Sequence, residues 1–237
     1  MMPSCFSFGD YEKLEDGILM EIESGKKSDA KTLKIQVCDS NIIRVVASAK
    51  DTISSRKSLI VNNNKLSKCK WTVEKKGDNV ILSTSSLDVY IDPKTGIIEF
   101  YDKKGNRILQ EKEGGKTIIP DTLMREKIFH VQQKFYSPSE EAVYGLGQHQ
   151  HGYMNYKGKD VNLTQYNTVS VVPFLISNRN YGILWDNNSI TKYGDEREYK
   201  PISILKLFDK KGEKGNLSVE YFQDREFKKV YCDDLTD

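Results

Sequence analysis

The sequence has 237 residues, 38% of them hydrophobic and 30% charged, enough apolar material for one large domain and too regular in pattern for disorder. Its 36 Lys and Arg against 34 Asp and Glu give a net charge of +2, a near balance that argues against nucleic acid or an anionic membrane as the main partner. No segment reaches the ~18 consecutive apolar residues of a membrane span.

The chain opens Met1-Met2-Pro3-Ser4-Cys5, without the basic flank and apolar stretch of a secretory leader, so none is expected within these residues. From Gly17 onward the hydrophobic period is two. Lys31 to Val37 puts Leu33, Ile35 and Val37 on one face of a strand. Asp39-Ser40-Asn41 has turn composition, and Ile42 to Ser48 follows as a second strand. Val80 to Ser83 and Leu87 to Ile91 read as short strands, the latter with Leu87, Val89 and Ile91 pointing one way. Gly96 to Tyr101 and Asn106 to Gln110 flank Asp102-Lys103-Lys104-Gly105, the pattern of a hairpin, and Lys127 to Phe135 alternates again. No window of helical length carries an amphipathic stripe. Short strands with turn signals every ~8–12 residues specify an all-β sandwich or barrel, not a βαβ fold.

Cys5, Cys38, Cys69 and Cys232 are scattered, with no metal-ligand spacing, and read as free or buried thiols. Trp71 and Trp185 read as packing residues. No cofactor is expected.

The densest stretch runs from Tyr144 to Asn187. It opens on the corner Tyr144-Gly145-Leu146-Gly147, continues through a patch of amides, aromatics and two histidines from Gln148 to Asn167, and ends in two strands, Val171 to Ser177 and Tyr181 to Asp186, joined by Asn178-Arg179-Asn180. Pro173 within the first of these marks an edge strand or a bulge, since proline cannot donate to a ladder. Hydroxyl-seeking amides beside flat rings suit sugar recognition.

The wording YGLGQHQ, an asparagine-rich loop, and then PFLIS…YGILWDN resembles the end of the N-terminal β-sandwich domain of glycoside hydrolase family 31, in particular its bacterial α-xylosidase-like members. The resemblance is specific over Glu141 to Asn188 and looser from Leu14 to Gln110. It implies a large antiparallel β-sandwich of galactose-mutarotase-like type over residues 1–212. The charged, glycine-bearing Asp209 to Gly215 then reads as a linker, and residues 213–237 as the end of that linker and the opening of an inserted protective-antigen-type sugar-binding domain, with Gly215 to Phe227 resembling its first strand. A periplasmic or extracellular parent protein is the corresponding expectation.

The resemblance reaches no catalytic motif. A retaining glycosidase needs two carboxylates ~5–5.5 Å apart, and in this family both lie on a (β/α)8 barrel of ~250 residues. Trp185-Asp186-Asn187 is superficially close to the nucleophile motif, but its neighbours match a sandwich strand. The catalytic barrel of the same parent chain is therefore the expected partner, and a carbohydrate the expected substrate. By position, the family's loop over the barrel mouth is Asn162 to Asn167. In it Gln165 and Asn167 could hydrogen-bond sugar hydroxyls and Tyr166 could lie against a sugar face. Glucosidases of the family tend to carry an acidic residue near the Asn167 position, where this chain has an amide.

His149 and His151 alternate and would share one side of an extended segment, open either to metal or acid–base chemistry or to a role anchoring the loop, and His149 joins Gln165, Tyr166 and Asn167 as a candidate substrate-binding residue. His130 lies in a separate strand. Three functions stay open: a non-catalytic domain of an α-glycosidase, a free-standing carbohydrate-binding module, and a mutarotase-like epimerase using one of the two histidines.

Overall fold

The computed structural model describes residues 10–22, 30–62, 69–123, 125–194, 217–222 and 230–236. The chain divides into two compact units, Met1–Glu196 and Arg197–Asp237. Among the described residues every regular element is a strand.

The first unit holds two stacked antiparallel sheets. One is a meander of β1 (Tyr11–Leu14), β2 (Gly17–Glu21), β3 (Thr32–Asp39) and β4 (Ile42–Ser48), paired in that order. The other joins β5 (Thr72–Lys76), β6 (Asn79–Ser83), β7 (Leu87–Ile91), β8 (Ile98–Asp102), β9 (Arg107–Leu123) and β10 (Glu126–Phe135), again with chain neighbours side by side. Ile18, Met20, Leu33 and Ile35 from the first sheet meet Val80, Leu82, Val89, Ile91 and Ile98 from the second, all fully buried in one cluster. The period-two pattern thus does what it predicts: the apolar face of each sheet closes on the other, as in a sandwich. Trp71 packs against the rim of this cluster, with Lys13 Nζ 4.9 Å from its ring centroid. Cys38 is buried and Cys69 partly exposed, and both are free thiols.

The hairpin across Asp102-Lys103-Lys104-Gly105 forms where the sequence places it, but its second strand does not stop at Gln110. β9 continues to Leu123 and pairs with β10 along that length. Between the partners Glu111↔Phe135 and Lys116↔Gln133, four residues of β9 (Lys112 to Gly115) face only Lys134, a bulge larger than the usual two residues against one. This charged, glycine-bearing interruption is why the sequence pattern breaks at Gln110.

A second group of strands completes the unit. β11 (Val143–Gln148), β13 (Ser170–Ser177) and β14 (Tyr181–Leu184) form a sheet in the order β11-β13-β14, while β12 (Val161–Leu163) pairs with β15 (Thr191–Tyr193). Leu146, Tyr156, Val161 and Leu163 make a second buried cluster, against which Val171, Leu175 and Tyr193 pack. In the second unit β16 (Leu217–Phe222) and β17 (Val230–Thr236) form an antiparallel pair. β16 falls within the strand expected at Gly215 to Phe227, and the expected linker Asp209 to Gly215 lies outside the described residues.

Candidate functional site

The site grows from the corner in β11. Gly145, Leu146 and Gly147 all have positive φ (101°, 62° and 93°), a run that L side chains resist. A Cβ on Gly147 would stand 2.1 Å from the Ser170 carbonyl oxygen and 2.7 Å from the Val172 nitrogen, so the close approach of two backbones requires glycine. Leu146, the one side chain in the run, is 2% exposed in the second core, and its burial offsets its strain. Opposite the corner β13 bulges: Gly145 pairs with Leu175 and Gly147 with Val171, leaving Val172, Pro173 and Phe174 to face Leu146 alone. Pro173 therefore sits in a bulge of a central strand rather than on an edge, and its carbonyl accepts the Trp185 N–H at 2.8 Å.

Two loops leave this corner. In the first, Gln148 to Asn155, His149 Nε2 lies 2.8 Å from the Leu146 carbonyl. A carbonyl only accepts, so that nitrogen carries the proton. The His149 and His151 rings lie near-parallel (11°) with centroids 5.7 Å apart, and His151 and Tyr153 follow at 5.9 Å and 25°. Tyr156 meets both His149 and Tyr153 edge-on, and Lys159 Nζ caps Tyr153 at 4.8 Å. The loop is pinned back to β11, where Val143 N–H donates to Asn155 Oδ1 at 3.0 Å and Tyr156 N–H to the Val143 carbonyl at 2.8 Å. The two histidines are brought together as the sequence expects, through a turn rather than a strand. No His, Cys, Asp and Glu group that could hold a metal ion occurs among the described residues. His130, in β10, bonds Asp121 at 2.9 Å on the neighbouring strand.

The second loop is shorter than the sequence suggests. Asn162 and Leu163 belong to β12, with Leu163 buried, so the loop proper begins at Thr164. Three residues are too few for alternation to be visible in the sequence, which is why they read as loop. Gln165 folds back: its Nε2 donates to the Val169 carbonyl and its Oε1 accepts the Val171 N–H at 3.0 Å. A turn closed by Val169 N–H to the Tyr166 carbonyl (3.0 Å) puts Asn167 at φ 46°, a conformation asparagine tolerates. Tyr166 is 57% exposed, and Asn167 is also exposed. The loop thus presents a ring and an amide outward, with Gln165 holding their frame. The adjoining Gln150 Nε2 donates to Thr168 Oγ1 at 2.5 Å and links the two loops.

Two carboxylates border this region. Asp186 accepts Arg44 Nη2 at 2.9 Å on one oxygen and Ser58 Oγ at 2.9 Å on the other, which makes it a tie between β4 and the end of β14. Glu141 is 2% exposed and receives the hydroxyls of Ser177 (2.5 Å) and Tyr181 (2.6 Å) on Oε1. Burial pushes its pKa up, but the Ser137, Ser177 and Tyr181 hydroxyls and the Arg179 charge outweigh that and hold it below the usual carboxylate range. Tyr181 is in turn pushed well up by burial and by the Glu141 bond. A carboxylate with a depressed folded pKa stabilises above its unfolded pKa and loses that contribution as pH falls through the folded one. Glu141→Gln is accordingly expected to cost about 1–3 kcal/mol at pH 7, a gap that narrows in urea titrations as the pH is lowered below ~4.3.

The sequence model of the glycosyl hydrolase 31 N-terminal galactose mutarotase-like domain matches residues 32–193. An alpha-xylosidase of Saccharolobus solfataricus is 31% identical over 201 residues, covering 80% of this chain and 26% of that protein. The crystal structure of the GH31 alpha-xylosidase from Xanthomonas citri superposes with a TM-score of 0.70 at 35% identity, covering 94% of this chain and 24% of that one. A GH31 alpha-xylosidase from a soil metagenome, complexed with xylose, shares the fold at 22% identity and a TM-score of 0.63, covering 77% of this chain and 29% of that one. The chain spans about a quarter of the length of these relatives.

Proposed function

This chain belongs to the family of glycosyl hydrolase 31 N-terminal galactose mutarotase-like domains, and we propose that it is the non-catalytic N-terminal domain of an α-glycosidase acting on α-linked xylosyl or glucosyl residues. In this reading the domain carries the catalytic barrel on one sheet face and lends the Gln165–Asn167 loop to the substrate pocket.

The observation that carries the reading is the outer face of the β11-β13-β14 sheet. Its inner face, Val171 and Leu175, packs on the second core. On the outer face Tyr144 stands opposite Ile176 and Leu184 opposite Phe174, with Val172 beyond, and these five side chains are 37–48% exposed. A one-sided antiparallel sheet normally turns polar residues to water. An apolar face of this kind marks an interface, and some three quarters of each relative's length lies outside the matched part to supply the partner. Asp186, the one carboxylate in a motif-like setting, is held by Arg44 and Ser58, which supports a structural role. With the same reading, residues 213–237 open an inserted sugar-binding domain, for which the β16–β17 pair supplies strands.

The test compares this chain with a version extended through the barrel, using aryl α-xyloside and aryl α-glucoside. The extended enzyme is expected to release p-nitrophenol and this chain to release none. Turnover by the chain alone would sink the reading. In the extended enzyme Ile176→Asp is expected to lower activity and unfolding temperature together, whereas in this chain the same change should be neutral or improve solubility.

The fold class leaves the epimerase reading a concrete check. Acceleration of glucose anomerisation by this chain, abolished in His149→Ala, would favour it. The bond from His149 Nε2–H to Leu146 supports an anchoring role instead, and no acceleration is expected.

A further inference from the structure

On the second sheet, Phe100 points into the first core, so its neighbours Glu99 and Tyr101 in β8 turn outward. Their cross-strand partners are Gln110 and Arg107, with a bulge between. On this face Tyr101 donates its hydroxyl to Glu99 Oε2 at 2.8 Å, and Arg107 Nη1 reaches Glu99 Oε1 at 3.4 Å. Two other segments converge on the same edge. Tyr136, beyond β10, donates its N–H to the Gln110 carbonyl at 2.9 Å, and Arg179, from the β13–β14 turn, donates from Nη2 to the Arg107 carbonyl at 2.8 Å. Together Arg107, Gln110, Tyr136, Pro138 and Arg179 line a cleft of about 180 Å³.

We propose that this cleft is a second saccharide-binding site, which holds a neutral pyranose unit of an oligosaccharide. The ring of Tyr136, 50% exposed, offers a face for the apolar side of a sugar. The two guanidinium groups and the Gln110 amide supply planar donors and an acceptor for adjacent hydroxyls, with Glu99 steadying Arg107 from beside the cleft. Charge selects a neutral ligand over an anion. Arg107 already faces Glu99, and the Arg179 charge bears on Glu140 and Glu141. The site is separate from the Gln165–Asn167 loop, because Arg179 and that loop flank opposite ends of the eight-residue strand β13. Such a strand is ~25 Å long.

The choice of a saccharide rests on the glycosidase reading, and the experiment separates the two. The chain is titrated with a xyloglucan heptasaccharide, and in parallel with sodium sulfate, while its backbone amide resonances are followed. Saturable shifts are expected at Arg107 to Gln110, Tyr136 and Arg179, weakened at least tenfold in Tyr136→Ala and also in Arg179→Met, and unchanged in Tyr166→Ala. Tyr136 is half-exposed, so its removal leaves the fold intact, and circular dichroism checks Arg179→Met. Shifts centred only on Gln165 to Asn167 would overturn the proposal while leaving the glycosidase reading in place. An absence of saturable shifts, or equal shifts with sulfate, would also overturn it, the latter marking an anion site. The glycosidase reading itself falls only on the activity comparison of the two chain lengths.

Discussion

Replacing Lys116 with methionine is expected to remove about 3–5 kcal/mol of unfolding free energy at neutral pH. Lys116 and Glu111 close the two ends of the β9 bulge and are almost fully buried, with side chains 9% and 6% exposed. Nζ donates to Glu111 Oε2 at 2.9 Å and to the Gly96 carbonyl at 3.0 Å, and the same Oε2 accepts the Ile98 N–H at 3.0 Å. Every group in the network has its partner, and this is why two charges can stand in an apolar setting. Burial still wins over these contacts for Glu111, whose pKa is raised. A carboxyl with a raised folded pKa favours the folded state at low pH and loses that contribution as pH rises through the folded value. Removing Lys116 deletes the two largest lowering influences, its charge and its hydrogen bond, leaves only the Ile98 N–H and keeps the desolvation, so the mutant should be hurt more at pH 8 than at pH 5. Urea titrations at the two values check this. The double variant Lys116→Met, Glu111→Leu should recover most of the loss, because it strands no charge. A loss independent of pH would mean that Lys116 acts by packing alone.

What the sequence discloses and what it hides follow from range. Alternation is a local signal, so β3, β4, β7 and the hairpin after β8 are legible in Leu33/Ile35, Ile42 to Ser48, Leu87/Val89/Ile91 and Asp102 to Gly105. The continuation of β9 is not legible, because a bulge places Lys112 to Gly115 across the pattern and only the pairing with β10 makes it one strand. β12 is hidden by its three-residue length. The same limit applies at the candidate site. The residue types that suit sugars, Tyr166 and Asn167, can be read directly, but Gln165 turning onto Val169 and Val171 cannot. The cleft around Arg107, Tyr136 and Arg179 draws on residues up to 72 positions apart, which no window brings together. Glu141 has a similar history: its neighbours Ser177 and Tyr181 lie 36 and 40 residues away, and only the fold turns a surface-type residue into a buried carboxylate.

Gly147→Ala is the substitution expected to connect this corner most directly to function. Two effects add at that position. A side chain at φ 93° costs about 1–2 kcal/mol on its own, and a Cβ placed 2.1 Å from the Ser170 carbonyl oxygen must push β11 and β13 apart. A total loss of about 3–4 kcal/mol is expected, at the upper end for single substitutions. Gly152→Ala supplies the control: it shares positive φ (70°) but has no atom within 4 Å of the added Cβ, so only the backbone term of about 1 kcal/mol remains. The contrast matters because β11 and β13 launch the two loops that Gln150 and Thr168 join, one bearing the histidine–tyrosine row and the other Tyr166 and Asn167. If the corner positions both loops, Gly147→Ala in the barrel-extended enzyme should raise KM for aryl α-xyloside more than it lowers kcat, and Gly152→Ala should change neither by more than about twofold. If Gly147→Ala instead lowers stability with KM unchanged, the corner is only a fold device, and the pocket takes its shape from the barrel.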